Sequence, residues 1–295
     1  MNFLRILLQK TWRILFFVNG VITFFLFYPF FYVLLSSDKW FEQVFRLKKI
    51  WARFLLYPVG IRYKIIKESD YDRNRTYVIC GNHGSYLDII LMYLSVKVYF
   101  HFMGKAELRR VPFFNKFFDR MNILVDRGSI MGSHRAFVRA GNDLDKGVSI
   151  AIFPEATIPE CSPHLGRFKN GAFRLAIEKQ TPILPVVFLD NCKLLPDNKL
   201  RKLGGRPGLS RVVVLDPVET RGLTDEDLPA LRSGGLAIAL LLASLLGRGW
   251  VRAALVLAAG LLAGYDLAAW RAEERLADAL PPAWEGRDID VEGVV

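Results

Sequence analysis

Three kinds of hydrophobic pattern follow one another along the chain. Between Arg13 and Asp38 lie 24 residues without a charge, ILFFVNGVITFFLFYPFFYVLLSS, longer than the roughly 20 needed to cross a bilayer as a helix. From Arg62 to Val218 short apolar runs alternate with amphipathic stretches, the pattern of strands fed by crossover helices. The runs predict strands at Tyr77–Cys80, Ile123–Val125, Ser149–Phe153, Ile183–Phe188 and Arg211–Leu215, and helices at Leu87–Val96, Ser133–Asp145 and Asn170–Lys179. In the tail, two further uncharged runs, Ser233–Gly247 and Ala253–Tyr265, are separated by Arg248 and Arg252. Each is short of a full span and has no polar face. They read as short, tilted membrane helices with snorkelling arginines, or as buried helices of a soluble partner.

The predicted architecture is therefore α/β. A mostly parallel central sheet is flanked by helices, with an N-terminal membrane helix or hairpin before it and a helical, membrane-embedded tail after it. Boundaries are placed at 1–60 for the anchoring segment, 61–232 for the α/β domain and 233–295 for the tail. The first apolar run is too long for a signal-peptide core and lacks a small-residue cleavage site, so it is expected to be retained. Arg5, Lys10 and Arg13 precede it, and Lys39, Arg46, Lys48 and Lys49 follow it. With cations at both ends and Pro29 inside, one crossing and a re-entrant hairpin both stay open.

Composition sharpens the division. All 22 Phe lie at or before Phe188, and every Lys lies at or before Lys202. The first 202 residues carry 31 basic and 16 acidic side chains, a net of +15, whereas the rest carry 9 and 13, a net of −4. Two modules of separate history, or two joined reading frames, both give such a break. The basic front favours an anionic partner. Cys80, Cys161 and Cys192 lie far apart with no CxxC spacing, so neither a disulfide framework nor a zinc site is suggested.

The chemistry-bearing residues follow strand ends, where α/β sheets present their active groups. Directly after the first predicted strand comes Asn82-His83-Gly84-Ser85-Tyr86-Leu87-Asp88. On one continuous helix, five residues turn about 140° net, which would separate His83 from Asp88. With His83 in the strand-to-helix turn and Asp88 in the first helical turn, the carboxylate reaches one ring nitrogen and leaves the other for substrate. That is a general-base arrangement. Ser85 and Asp88 also fit an S-x-x-D capping box, in which Asp88 only finishes a helix start. Further strand ends carry Val125-Asp126-Arg127-Gly128 and Phe153-Pro154-Glu155-Ala156-Thr157, with Arg167 and Lys169 beyond the latter, and Gly104-Lys105-Ala106-Glu107-Leu108 lies between the first turn and these. An arginine at such a place can grip a phosphate bidentately, and each charge can equally be a solvated one.

Taken in order, NHGSYLD, GKAELRRVPFF leading to ILVDRGS, FPEAT and TPILPVV resemble the four blocks of the glycerolipid acyltransferases of the 1-acylglycerol-3-phosphate acyltransferase type. The likeness covers about Asn82 to Val187 and extends through GGRPG and Pro217 to Leu231. It implies that His83 deprotonates the free hydroxyl of lysophosphatidic acid, that the oxygen attacks an acyl thioester of coenzyme A or acyl carrier protein, and that Asp88 orients His83. It further implies that Arg127, helped by Lys105, holds the glycerol phosphate, and that Glu155, Thr157 and Lys169 shape the acceptor site. Pro182 and Pro185 are expected to form the acyl-donor wall. Backbone N–H groups of Gly84 and Ser85 are the expected oxyanion donors. Neither a metal nor a bound cofactor is expected. The partners implied are membrane lipids, with no nucleic acid, and the place is the cytoplasmic face of a bacterial-type inner membrane.

Two positions depart from the family pattern. Ala156 stands where FPEGT has Gly, and Ile158-Pro159 stands where many members carry Arg-Ser, which puts the acceptor in doubt but not the reaction. The tail, especially LAAWRAEERLADALPPAWEGRDIDVEGVV, resembles the N-terminal membrane region of ComEC-type competence proteins, at the point where an extracytoplasmic β domain would begin. The competing reading is thus a non-enzymatic membrane fragment related to DNA uptake, with an inert His83.

Overall fold

Runs of β-branched, aromatic and other apolar residues build seven strands among the described residues, joined in the order β1-β7-β6-β2-β5-β3-β4. They are β1 (Ile61–Glu68), β2 (Val78–Gly81), β3 (Phe100–Lys105), β4 (Ile123–Val125), β5 (Ser149–Ile152), β6 (Ile183–Phe188) and β7 (Gly208–Val214). The helices are α1 (Asn2–Leu34), α2 (Phe41–Leu56), α3 (Leu87–Ser95), α4 (Ile130–Asp145), α5 (Gly171–Glu178) and the single turn α6 (Asn191–Leu194). This computed structural model describes residues 2–110, 120–126, 128–159, 165–196 and 204–234. Arg127, Cys161 and the predicted tail helices lie outside them. Met1–Arg232 form one compact unit, so α1 and α2 belong to the same body as the sheet.

All strand pairs are parallel except β6 and β7, where Val186 faces Val214 and Phe188 faces Val212. Parallel strands need both faces covered, and the central ones read as continuous apolar runs. Val78, Ile79, Ile150, Ala151 and Leu184 are fully buried. On one face Ile79, Ala151 and Leu184 pack with Leu87, Leu91 and Met92 of α3 and with Phe45 of α2. On the other, α4 and α5 lie against each other and over β4, β5 and β2. Each such fully buried side chain contributes about 1.5–3 kcal/mol.

The strands β1 and β3 are additions to the predicted set. Arg62, Lys64 and Ile66 of edge strand β1 are exposed, so its charges hide a strand that pairs only with β7. In β3 the buried His101 interrupts the apolar run. Its Nδ1 lies 2.9 Å from Asp143 of α4, and its Nε2 lies 2.8 Å from the Tyr99 hydroxyl, so the polar ring is satisfied where it is buried.

Helices α1 and α2 form a hairpin. The Asn19 amide donates to the carbonyls of Phe54 and Leu55, and the Trp51 indole donates to Thr23 Oγ1. Phe3–Leu34 is long and apolar enough to cross a membrane, and little of it is buried in the protein. The first half of α1 is fastened to the sheet. The Trp12 indole donates to the Val59 carbonyl at 2.8 Å, and Arg13 donates to the carbonyls of Pro196 and Gly204 at 2.6 and 3.2 Å. Because Ile61 pairs with Gly208, and β7 runs against β6, these attachments lie at the same end of the sheet as the carboxyl ends of β2 and β6.

Candidate active site

At the carboxyl end of β2, Gly81 is in close quarters. A Cβ there would stand 2.9 Å from Met92 Cε and 3.2 and 3.3 Å from the rings of Phe153 and Phe188. The next side chain continues the ladder that the backbone leaves. Asn82 Nδ2 donates to the Phe188 carbonyl at 3.1 Å, while its Oδ1 accepts from the Phe188 N–H at 2.8 Å. His83 therefore starts its turn from a fixed position.

His83 is held on three sides. Its N–H donates to Glu155 Oε1 at 2.7 Å, and its ring stacks on Phe153 with centroids 4.1 Å apart and planes 10° from parallel. Nδ1 lies 3.0 Å from Asp88 Oδ2. Since that oxygen faces donors only, Nδ1 carries the proton and Nε2 keeps a lone pair. Nε2 has no protein partner among the described residues, and the side chain is 12% exposed.

Asp88, in the first turn of α3, is fully buried. Its Oδ2 also accepts the N–H groups of Gly84 and Ser85 at 2.7 and 2.8 Å. This is the return half of a capping box, in which a side chain three residues on satisfies an N–H at the helix start. The forward half is absent, because Ser85 Oγ donates to the Leu195 carbonyl at 2.7 Å and accepts the Leu87 N–H at 3.2 Å. Helix cap and partner of His83 thus fall on the same carboxylate oxygen. The expectation of oxyanion donors at Gly84 and Ser85 is corrected by this geometry. Both N–H groups turn inward to Asp88 and are unavailable to an incoming oxygen.

The FPEAT segment after β5 is a turn closed by the Ala156 N–H on the Phe153 carbonyl at 2.9 Å, with Pro154 at its second position. It presents Glu155 to the main chain. Oε1 takes the His83 N–H and Oε2 takes the Gly166 N–H at 2.6 Å. Burial pushes the Glu155 carboxyl up to about 6, against the lowering pull of these two N–H groups. Ala156 sits in the left-handed region at φ +64°.

The remaining expected site residues are spread around this end of the sheet. Lys105, at the end of β3, is exposed and pairs with Glu107 at 3.1 Å. Thr157 and Lys169 are exposed, and no hydrogen bond joins their side chains to His83 or Asp88 among the described residues. The Lys169 N–H donates to the Pro154 carbonyl. Pro182 and Pro185 lie in or beside β6, their carbonyls accepting from Val78 and Leu215. Asn191 and Ser210 were not expected. Asn191 Nδ2 donates to Asp88 Oδ1 at 2.7 Å, and Ser210 Oγ donates to Asn191 Oδ1 at 2.6 Å. They come from 103 and 122 residues beyond Asp88, and no local motif announces them.

The Acyltransferase family model matches residues 62–189, which contain His83, Asp88 and Glu155. Over this stretch the chain is similar to acyltransferase-family domains. The chain is 32% identical over 197 residues to 1-acyl-sn-glycerol-3-phosphate acyltransferase alpha of Mus musculus, covering 64% of this chain and 65% of that one. It is 30% identical over 173 residues to an uncharacterized acyltransferase of Schizosaccharomyces pombe, covering 57% and 61%. A third relative, the 1-acyl-sn-glycerol-3-phosphate acyltransferase of Borreliella burgdorferi, is 29% identical over 143 residues, covering 48% and 57%. The chain thus spans about three fifths of the curated relatives it matches. The fold is also similar to that of the solved 1-acyl-sn-glycerophosphate (LPA) acyltransferase PlsC of Thermotoga maritima. The TM-score is 0.66 at 21% identity, over 85% of this chain and 99% of that one.

Proposed function

We propose that this acyltransferase domain moves a fatty acyl group from a coenzyme A or acyl carrier protein thioester to the free hydroxyl of 1-acylglycerol 3-phosphate. One observation carries the reading: His83 has Nδ1 on a buried carboxylate, its ring clamped on Phe153, and Nε2 open. Nε2 takes the hydroxyl proton as the oxygen forms its bond to the thioester carbonyl. Asp88 stabilises the imidazolium that results. When the tetrahedral intermediate collapses, the carbon–sulfur bond breaks and the departing thiolate receives the proton from His83. The proposed acceptor follows the names of the relatives, and Arg127, with Lys105 as a helper, is the proposed source of positive charge for the phosphate.

In this reading α1 and α2 rest in the bilayer. Phe17, Ile22, Phe25, Leu26, Phe30 and Val33 are exposed along α1, and an exposed apolar face of that extent calls for a partner. Lipid acceptor and product then reach the domain by lateral diffusion from a cytoplasmic leaflet, where acyl thioesters are available. The Ala156 and Ile158-Pro159 departures favour testing a second class of acceptor, other one-tailed lysolipids.

The deciding experiment measures transfer of labelled acyl groups by membranes carrying the wild-type chain or His83→Ala. It uses 1-acylglycerol 3-phosphate, several other lysolipids and both donor types. A labelled diacyl product that disappears with His83→Ala supports the proposal and names the acceptor. No product with any pair, with the protein present, refutes it.

A further inference from the structure

The buried side of Asp88 is served by two residues from the far end of the domain. Asp88 Oδ1 accepts from Asn191 Nδ2 at 2.7 Å, and the Oδ1 of that amide in turn accepts the Ser210 hydroxyl at 2.6 Å. Relative exposures are 0%, 1% and 0% for Asp88, Asn191 and Ser210, so water does not replace either bond. The line Ser210–Asn191–Asp88–His83 runs from β7 through α6 and α3 to the open ring nitrogen.

The direction of each bond is fixed chemically. An ionised carboxylate only accepts, and Asp88 collects donors from His83, Gly84, Ser85 and Asn191. An asparagine amide has two ends, and only its NH2 end suits Asp88. Asp88 itself thus sets the orientation of the amide, and the Ser210 hydroxyl, able to donate or accept, donates to the oxygen end and holds the amide in place. The main chain around the amide is fastened as well. The preceding Asp190 is gripped by Arg211, the residue after Ser210, through Nε at 2.7 Å and Nη2 at 2.8 Å, and by the Arg211 N–H at 3.2 Å. Two neighbouring pairs, 190 with 211 and 191 with 210, thus anchor the turn after β6 to β7.

We infer that Asn191, held by Ser210, is a positioning residue of the transfer reaction: it spreads part of the Asp88 charge into the protein and keeps the carboxylate plane aimed at His83 Nδ1. This rests on His83 acting as the base. The titratable groups against His83 are Asp88 from α3 and Glu155 from the turn after β5. Of these two, the Asn191 side chain bonds only Asp88. Loss of its N–H donor concentrates negative charge at Asp88 and favours the protonated imidazole. The acid limb of the pH profile of kcat/KM then moves to higher pH, while Glu155 is the same in wild type and variants.

The test uses the full chain in detergent, as wild type, Asn191→Leu, Asn191→Asp, Ser210→Ala and Ser210→Thr. Asn191→Leu keeps the volume and removes the donor. It should lower kcat roughly tenfold or more, with KM for both substrates within about twofold, as loss of a partner behind a first-line ligand does. Its acid limb should rise by about half a pH unit or more. Ser210→Ala should shift both quantities in the same direction by less, and Ser210→Thr, which restores the hydroxyl, should return them. Should Asn191→Leu fail to fold, the Ser210 pair decides the matter alone. The imidazole titration of His83, followed by nitrogen NMR in 15N-histidine-labelled protein, gives a readout without turnover. A folded Asn191→Leu or Ser210→Ala whose His83 titration midpoint matches wild type overturns the inference. A wild-type chain inactive on every acceptor sinks the base reading instead, and the NMR comparison still judges the relay.

Discussion

Replacing Ala156 by Gly should make this domain more stable. Ala156 closes the turn that carries Glu155, and its φ of +64° places a Cβ against its own carbonyl oxygen. For an L residue this conformation costs about 1–2 kcal/mol, and glycine does not incur it. Glycine in turn frees the unfolded chain, which costs about 0.4–1 kcal/mol. The central values leave a gain of about 0.8 kcal/mol, or about 2 to 3 °C in thermal midpoint for a unit of this size. A β-branched residue is worse than alanine in that region, so the order of midpoints should be Gly above Ala above Val at position 156. Tryptophan fluorescence melts at one fixed scan rate give the order even where unfolding is irreversible. A midpoint that falls in Ala156→Gly, or a Val variant equal to wild type, would refute the strain argument.

Three more outcomes are expected. Glu155 binds its proton more tightly folded, at about 6, than at its ordinary value of 4.5. Its contribution is therefore full below about pH 4.5 and lost as pH rises through 6, an effect of roughly 2 kcal/mol. Glu155→Gln should flatten that part of the stability curve, and denaturant midpoints at pH 4.5 and 7 that differ equally in both proteins would contradict it. Asp88→Asn should cut kcat by about a thousandfold or more, because an amide nitrogen must face either the inward N–H groups or the Asn191 donor and the ring loses its preferred tautomer; single-turnover acyl transfer measures it. Gly81→Ala should cost about 1–3 kcal/mol through the crowding with Met92, Phe153 and Phe188. An urea titration with an unchanged midpoint would show that these side chains yield freely.

What could be read in the sequence was local. His83 and Asp88 are five residues apart across one strand-to-helix turn, a spacing that allowed the pairing and fitted a helix capping box equally well. The mostly parallel sheet followed from alternating apolar runs, and the ends of β2, β5 and β6 fall within about one residue of the pattern. The strand β3 was missed because a buried histidine breaks its hydrophobic signal, and that histidine is satisfied by Tyr99 and by Asp143, the latter 42 residues away. Asn191 follows Asp190 at the end of β6 and reads as ordinary turn punctuation. Only the reversal of β7 against β6 gives Asn191 a partner in Ser210. The oxyanion assignment failed for a related reason: whether an N–H near a helix start is open depends on where the side chain of Asp88 turns, and a motif does not record that.

The attachment of α1 through Trp12 and Arg13 sets a geometric condition on any substrate. No flexible tether separates the apolar helix from His83, for the carbonyls that Arg13 grips belong to Pro196 and Gly204, and the adjacent Leu195 carbonyl holds Ser85. The fold therefore behaves as a ruler: whatever plane α1 occupies, His83 stands at one height relative to it. Under the proposed function, an acceptor would be selected by how far its hydroxyl lies from its own apolar tail before any pocket reads its shape.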